Sequence, residues 1–117
     1  MKRVPTIAAL GAIGLGALGA SPAVATDGEQ RTYANVTEEI FECVKVDSIE
    51  AQGTVYEPRY GPVGVSTTRS ALWRVVVAYE HDVAAGQLTY TLVYKSWIVP
   101  RAEIWNGIED ALARCSQ

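Results

Sequence analysis

The sequence predicts an α+β domain with the chain order α-β-β-β-β-α, in which a four-stranded antiparallel sheet carries two helices on one face. Three observations support this architecture. An amphipathic segment with helix-capping residues opens the domain, two strongly alternating segments follow at residues 71–81 and 87–99, and a second amphipathic segment begins at Pro100. Cys43 and Cys115 lie on the inward stripes of the two helices, and we expect one disulfide to link those helices.

The first helix is predicted over residues 36–46. Asn35 is a favourable N-cap residue, and Glu38 stands three positions later, as in a capping box. Apolar residues then recur every three or four positions and form an inward stripe that includes Cys43. The preceding residues 26–34 are mostly polar, and we expect them to be frayed.

Two short strands are predicted at residues 53–57 and 63–69, on either side of the segment EPRYGPVG at residues 57–64. Its two prolines cannot donate hydrogen bonds to a sheet ladder, which favours a position at the sheet edge. Proline and glycine also restrict or punctuate the chain, so this segment is expected to form a rigid turn.

The two longer strands are expected to form a hairpin in which Tyr79 pairs with Tyr90. This register places the apolar residues of both strands on one side, where burial stabilises them. Tyr94 follows Tyr90 by four positions and is therefore expected to share its face. The same register places Arg74 opposite Lys95, an unfavourable pair of like charges.

The last helix begins at Pro100, because proline is tolerated in a first turn, and Ile104, Ile108 and Leu112 follow on one stripe with Cys115. A disulfide between cysteines 72 positions apart closes a long loop. In the chain-entropy model this closure stabilises the fold by about 4 kcal/mol.

Residues 1–25 have the pattern of a secretory signal peptide. Lys2 and Arg3 form a basic start, residues 7–19 are apolar, and an Ala-x-Ala sequence ends at Ala25. An uncleaved membrane anchor is the alternative, but an apolar run of about 13 residues is shorter than the roughly 20 that span a bilayer. We expect cleavage after Ala25 and export of a single domain, residues 26–117, to the periplasm or the medium.

Charge and motifs argue against several classes of function. Loss of Lys2 and Arg3 takes Lys plus Arg from 10 to 8 against 13 Asp plus Glu, so the net charge changes from −3 to −5. Nucleic acid and anionic membranes reward a basic surface, and neither is the expected partner. A local basic patch remains possible, because Arg59, Arg69 and Arg74 are close in sequence.

No cofactor or metal is predicted. The glycine pattern G-x-G-x-x-G at residues 14–19 lies inside the leader, away from the βαβ unit that a dinucleotide site requires. His81 is the one histidine of the chain, and with two cysteines it does not complete a metal site. A catalytic role for His81 would need a nearby serine and carboxylate. The neighbouring acidic residues in EHD point to the opposite face of a strand, and no nucleophile-elbow sequence is present.

The favoured functional hypothesis is an exported, non-catalytic module of inhibitor, immunity or adaptor type that binds another protein. Arg59 and Tyr60 are its candidate contact residues, since arginine and tyrosine dominate binding energies at interfaces and rigid loops often carry them. Two alternatives stay open. One is a small-ligand carrier with an aromatic pocket between sheet and helices, lined by Trp73, Tyr79, Tyr90, Tyr94 and Trp105. The other is a small secreted hydrolase that uses His81.

Overall fold

The computed structural model of the chain describes residues 28–117. The strands in this part are β1 (Gln30–Tyr33), β2 (Val55–Glu57), β3 (Val63–Arg69), β4 (Arg74–Asp82) and β5 (Gln87–Lys95), and the helices are α1 (Glu38–Gln52) and α2 (Arg101–Cys115). The predicted signal peptide, residues 1–25, lies outside the described residues.

The strands form one antiparallel sheet in the order β1-β5-β4-β3-β2. The predicted α+β class is confirmed, but the sheet has five strands, so the prediction of four was wrong. The additional strand is β1, in a segment expected to be frayed. Its polar residues pair along the edge with β5, where Thr32 and Thr89 share a hydrogen bond of 2.9 Å, and only Tyr33 turns into the core.

The predicted pairing of Tyr79 with Tyr90 is confirmed, but the register changes farther along the hairpin. Val77 pairs with Leu92 whereas Val76 pairs with Tyr94, so β5 has one extra residue, Val93, at a β-bulge. The extra residue turns Tyr94 to the outer face of the sheet, which corrects the expectation that it shares a face with Tyr90.

The bulge also separates the like charges that the simple register brought together. Lys95 pairs with Val75 rather than with Arg74, which instead pairs with Arg69 of β3. The guanidinium of Arg74 lies 4.8 Å from the ring centre of Tyr94 on the outer face. A cation over an aromatic face is attracted by the ring quadrupole, so the outward turn of Tyr94 gives Arg74 a favourable contact.

Helix α1 begins later and ends later than predicted. Thr37 is the N-cap, with its hydroxyl accepting a hydrogen bond from the Ile40 amide (3.1 Å), whereas Asn35 occupies a left-handed conformation with φ 63°. The helix ends at Gly53, whose φ of 70° suits a left-handed C-cap and whose amide donates to the Ile49 carbonyl.

The core lies between the sheet and the two helices, with Leu88, Leu92 and Trp105 its largest fully buried side chains. The predicted disulfide is confirmed: Cys43 of α1 and Cys115 of α2 are joined, with Cα atoms 5.8 Å apart. Disulfides persist in oxidising environments. Neither helix in the described part of the chain has the length and apolar character needed to cross a membrane.

Candidate functional site

A cleft of about 760 Å³ lies between α1 and α2 above the sheet. Val75 and Val77 of β4 and Tyr90 of β5 line its floor, while Val44 of α1 and Ile104 of α2 line its walls. The sides of these walls facing the core are apolar because each helix buries one stripe against the sheet. The volume is in the range of small-molecule sites, about 300–1,000 Å³.

Tyr90 supplies a polar group in this largely apolar floor. Its side chain is only 3% exposed, and within residues 28–117 its hydroxyl forms no hydrogen bond with another protein group, whereas the fully buried side-chain atom that lacks a partner in this part of the chain is Nε1 of Trp105. Burial raises the pKa of Tyr90 well above its usual value, so the phenol stays neutral and can both donate and accept. A ligand group that bonded to this hydroxyl would add one hydrogen bond at the cleft floor, worth about 0.5–1.5 kcal/mol.

The hydroxyl groups of neighbouring residues at the cleft already form hydrogen bonds. Thr54 and Thr68 share a hydrogen bond of 2.7 Å, and Ser66 donates to the Val77 carbonyl at 3.1 Å. Ser48 and Tyr56 share another at 2.7 Å. The hydroxyl of Tyr90 is therefore the group at the cleft floor that is available to a ligand.

Gly107 interrupts the α2 wall of the cleft. A Cβ atom built at this position would have no neighbouring atom within 4 Å, so the missing side chain leaves open space. Glycine inside a helix costs roughly 0.5–1 kcal/mol relative to alanine. Gly107 was not among the residues predicted from the sequence to form a site, although a glycine within a helical pattern is a usable signal.

One end of the cleft is formed by two connecting segments. Ser70 and Trp73 belong to the turn between β3 and β4, and Ile98 and Val99 belong to the segment between β5 and α2. The exposed residues Gln52 and Glu103 lie along the cleft rim, so the cleft is open to solvent on that side.

The aromatic residues predicted to line one pocket are divided among different surroundings. Trp73 and Tyr90 line the cleft, but Tyr79, Tyr94 and Trp105 do not. Tyr79 packs edge-on against Phe41, with ring centres 5.2 Å apart, and Tyr94 lies on the outer face of the sheet. Trp105 is fully buried, and the guanidinium of Arg31 lies 4.8 Å from its ring centre.

The segment at residues 57–64 lies at the opposite end of the sheet, and Arg59 attaches it to α1. Both guanidinium nitrogens of Arg59 that face the helix donate to Glu42, at 3.3 and 2.7 Å. These hydrogen bonds hold the pKa of the Glu42 carboxyl below its usual value. Because Arg59 is occupied within the molecule, its side chain orders the loop rather than projecting from it.

Lys45 provides a second attachment for this loop. The residue is buried, its ammonium donates to the Arg59 carbonyl at 3.2 Å, and it lies 4.6 Å from the ring centre of Phe41. Burial lowers the pKa of Lys45 below its usual value. Tyr79 adds a third contact by donating to the Pro58 carbonyl at 3.2 Å. Tyr60, by contrast, remains 68% exposed and is the side chain that this loop presents to solvent.

His81 is held in a structural contact. It is buried, its Nε2 donates to the Val36 carbonyl at 2.7 Å, and its ring packs edge-on against Phe41. This arrangement fixes the start of α1 to the end of β4, so the hydrolase alternative gains no support from the geometry. Residues 28–117 contain no group of three His, Cys, Asp or Glu side chains placed to hold a metal ion.

Comparison with models of known protein families, with curated proteins and with solved structures gave no match to this chain.

Proposed function

We propose that the protein is an exported, non-catalytic carrier that holds a small, elongated apolar molecule with a terminal hydrogen-bonding group in the cleft between α1 and α2. The observation that carries this proposal is the free hydroxyl of Tyr90 in a floor that is otherwise apolar or already hydrogen-bonded. Pockets of this kind bury a ligand's apolar body and orient it through a few polar groups.

The lining of the cleft favours a ligand with an apolar body. Its floor residues Val75, Val77 and Tyr90 are each largely buried, and among these three only Tyr90 has a polar side-chain group. A single acyl chain ending in a carboxyl or hydroxyl group fits this description. Export is supported by the disulfide and by the leader pattern of residues 1–25.

Filling the open space at Gly107 is expected to abolish ligand binding without unfolding the protein. The probe is cis-parinaric acid, a slender fluorescent fatty acid whose emission rises in an apolar site. Gly107→Phe adds a ring beyond a Cβ position that has no atom within 4 Å, on the α2 wall of the cleft, and should weaken probe binding at least about tenfold. Gly107→Ala leaves the space nearly unchanged and is the matched control.

Tyr90→Phe tests the polar anchor in the same titration. Loss of one hydrogen bond is worth about 0.5–1.5 kcal/mol, so the probe should bind roughly 2- to 10-fold more weakly. The carrier proposal fails if the natural protein does not bind the probe, or if Gly107→Phe binds it as tightly as Gly107→Ala. If the probe binds as expected, organic extraction of the purified protein followed by mass spectrometry would identify the natural ligand.

A second candidate is the protein-binding module expected from the sequence, with the loop at residues 57–64 as its contact surface. It is favoured by the three internal contacts that order this loop and by the exposure of Tyr60. An ordered loop loses less conformational entropy on binding than a mobile one.

The variants Tyr60→Ala and Arg59→Ala are expected to distinguish the residue that contacts a partner, Tyr60, from the residue that orders the loop, Arg59. Tyr60→Ala should change the melting temperature little, because the side chain is exposed. Arg59→Ala breaks a partly exposed ion pair and should cost up to about 1 kcal/mol. A partner captured from the host should be lost with Tyr60→Ala and kept by Gly107→Phe; a partner retained by Tyr60→Ala would remove the loop from consideration.

A further inference from the structure

Two large apolar side chains project from one end of the sheet. Leu72, in the turn between β3 and β4, is 81% exposed, and Trp97, in the segment between β5 and α2, is 88% exposed. Ile98 is exposed beside Trp97. Exposed apolar groups that cluster mark interaction sites more often than single ones do. We call Leu72, Trp97 and Ile98 together the apolar tip.

Hydrogen bonds hold the two segments of the tip side by side. The Arg74 amide donates to the Ser96 hydroxyl, and the Ser96 amide donates to the Arg74 carbonyl, both at 2.9 Å. The Ser70 amide donates to the Trp73 carbonyl at 2.9 Å, which closes the turn that carries Leu72. The tip is therefore a fixed part of the fold rather than a loose end.

Basic residues lie next to the tip. Arg69 pairs with Arg74 across β3 and β4 on the outer face of the sheet, whereas Lys95 pairs with the buried Val75 and so lies on the other face, just before the segment that carries Trp97. Within residues 28–117 none of these three side chains forms an ion pair with a carboxylate. The predicted mature domain has a net charge of −5, so this end is a local concentration of unpaired positive charge.

We propose that the apolar tip and the adjacent basic residues bind the surface of an anionic lipid bilayer. Tryptophan concentrates at the interface between headgroups and acyl chains, and neighbouring basic side chains are attracted to anionic lipids. The side chains of Leu72 and Trp97 are 81% and 88% exposed, so both can insert between lipid headgroups without a rearrangement of the fold.

The net charge of the predicted mature domain argued against binding to an anionic membrane. Net charge says nothing about where the positive charges lie on the surface, and here three of them lie beside the apolar tip. Arg59, the third member of the basic patch considered from the sequence, lies on Glu42 at the other end of the sheet and takes no part. The tip adjoins the end of the cleft lined by Trp73 and Ile98. Docking would bring that end of the cleft to the bilayer, but the inference stands without any ligand in the cleft.

The test is vesicle pelleting with the full chain, expressed in an exporting host and purified in its processed, disulfide-bonded form with its mass confirmed. Vesicles of phosphatidylcholine alone are compared with vesicles that also contain phosphatidylglycerol. We expect binding to the anionic vesicles and at least about tenfold weaker binding by Leu72→Ser/Trp97→Ser. Arg69→Gln/Arg74→Gln should also weaken it, and about 1 M salt should suppress it, since screening then acts within about 3 Å.

Tyr60→Ser is the matched control, because it removes an exposed aromatic side chain from the opposite end of the sheet. It should bind vesicles as the natural protein does, and so should Gly107→Phe, which separates membrane docking from ligand binding. The tryptophan emission should shift to shorter wavelength on anionic vesicles, and Trp97→Tyr should remove the shift.

Three outcomes would overturn the proposal. They are no pelleting of the natural protein with anionic vesicles, equal pelleting of the Leu72→Ser/Trp97→Ser variant, and capture of a host protein through Trp97 in the absence of vesicle binding. The last result would assign the tip to a protein partner instead.

Discussion

Removal of the Cys43–Cys115 disulfide is expected to lower the free energy of unfolding by about 4 kcal/mol. The bond closes a loop of 72 residues and so restricts the unfolded chain more than a short-range bridge would. Small domains are stable by only about 5–15 kcal/mol in total. The disulfide therefore contributes a large share of the free energy of unfolding of this domain.

Urea unfolding of Cys43→Ala/Cys115→Ala and of the chemically reduced protein, each beside the oxidised natural protein, would measure this effect. Both should lose stability by similar amounts, because both release the same loop. A loss below about 1 kcal/mol would mean that helix packing alone holds α1 against α2. The cleft should be affected as well, since α1 and α2 form its two walls.

Gly64→Ala is expected to destabilise the domain by about 2–3 kcal/mol, near the upper end of the usual range for overpacking. A Cβ atom at this position would lie 2.5 Å from the Tyr79 hydroxyl oxygen and 2.9 Å from the Glu57 carbonyl oxygen. Gly64 pairs directly with Tyr79, and the phenol crosses this glycine to reach the Pro58 carbonyl. Neither the strand backbone nor the hydrogen-bonded phenol can move away without loss.

Gly107→Ala is the control for Gly64→Ala, because it makes the same chemical change where no atom lies within 4 Å. It should stabilise the helix by about 0.5–1 kcal/mol. A Cβ atom at residue 64 would also lie 2.8 Å from Cζ of Tyr79, which Tyr79→Phe retains, so the double variant Gly64→Ala/Tyr79→Phe should remain destabilised although the hydroxyl contact is gone. A neutral Gly64→Ala would contradict the close approach.

The two candidate protein surfaces lie at opposite ends of the sheet, which makes their tests independent. The loop at residues 57–64 joins β2 to β3 at one end, whereas the β3–β4 turn that carries Leu72 is at the other, because successive antiparallel strands reverse direction. Tyr60 variants and Trp97 variants can therefore serve as controls for each other, and Gly107 variants probe the cleft between them.

Much of this protein was determined by its sequence alone. The amphipathic segments predicted the existence of α1 and α2, although not the N-cap of α1, and the alternation of β4 and β5 predicted the Tyr79–Tyr90 register, because one face had to be buried. The positions of Cys43 and Cys115 on the helical stripes predicted the disulfide. These features depend on local periodicity and on the burial of one face, both of which a single sequence displays.

Tertiary structure decided the rest, because it depends on contacts between distant segments. Strand β1 has no apolar alternation and is stabilised by pairing with β5 some 60 positions away, as the Gln30–Thr91 hydrogen bond shows. One extra residue at Val93 moved Tyr94 from the core to the outer face, and periodicity does not reveal such a bulge. The free hydroxyl of Tyr90 and the neighbouring positions of Leu72 and Trp97 likewise exist only once the strands and helices have packed together.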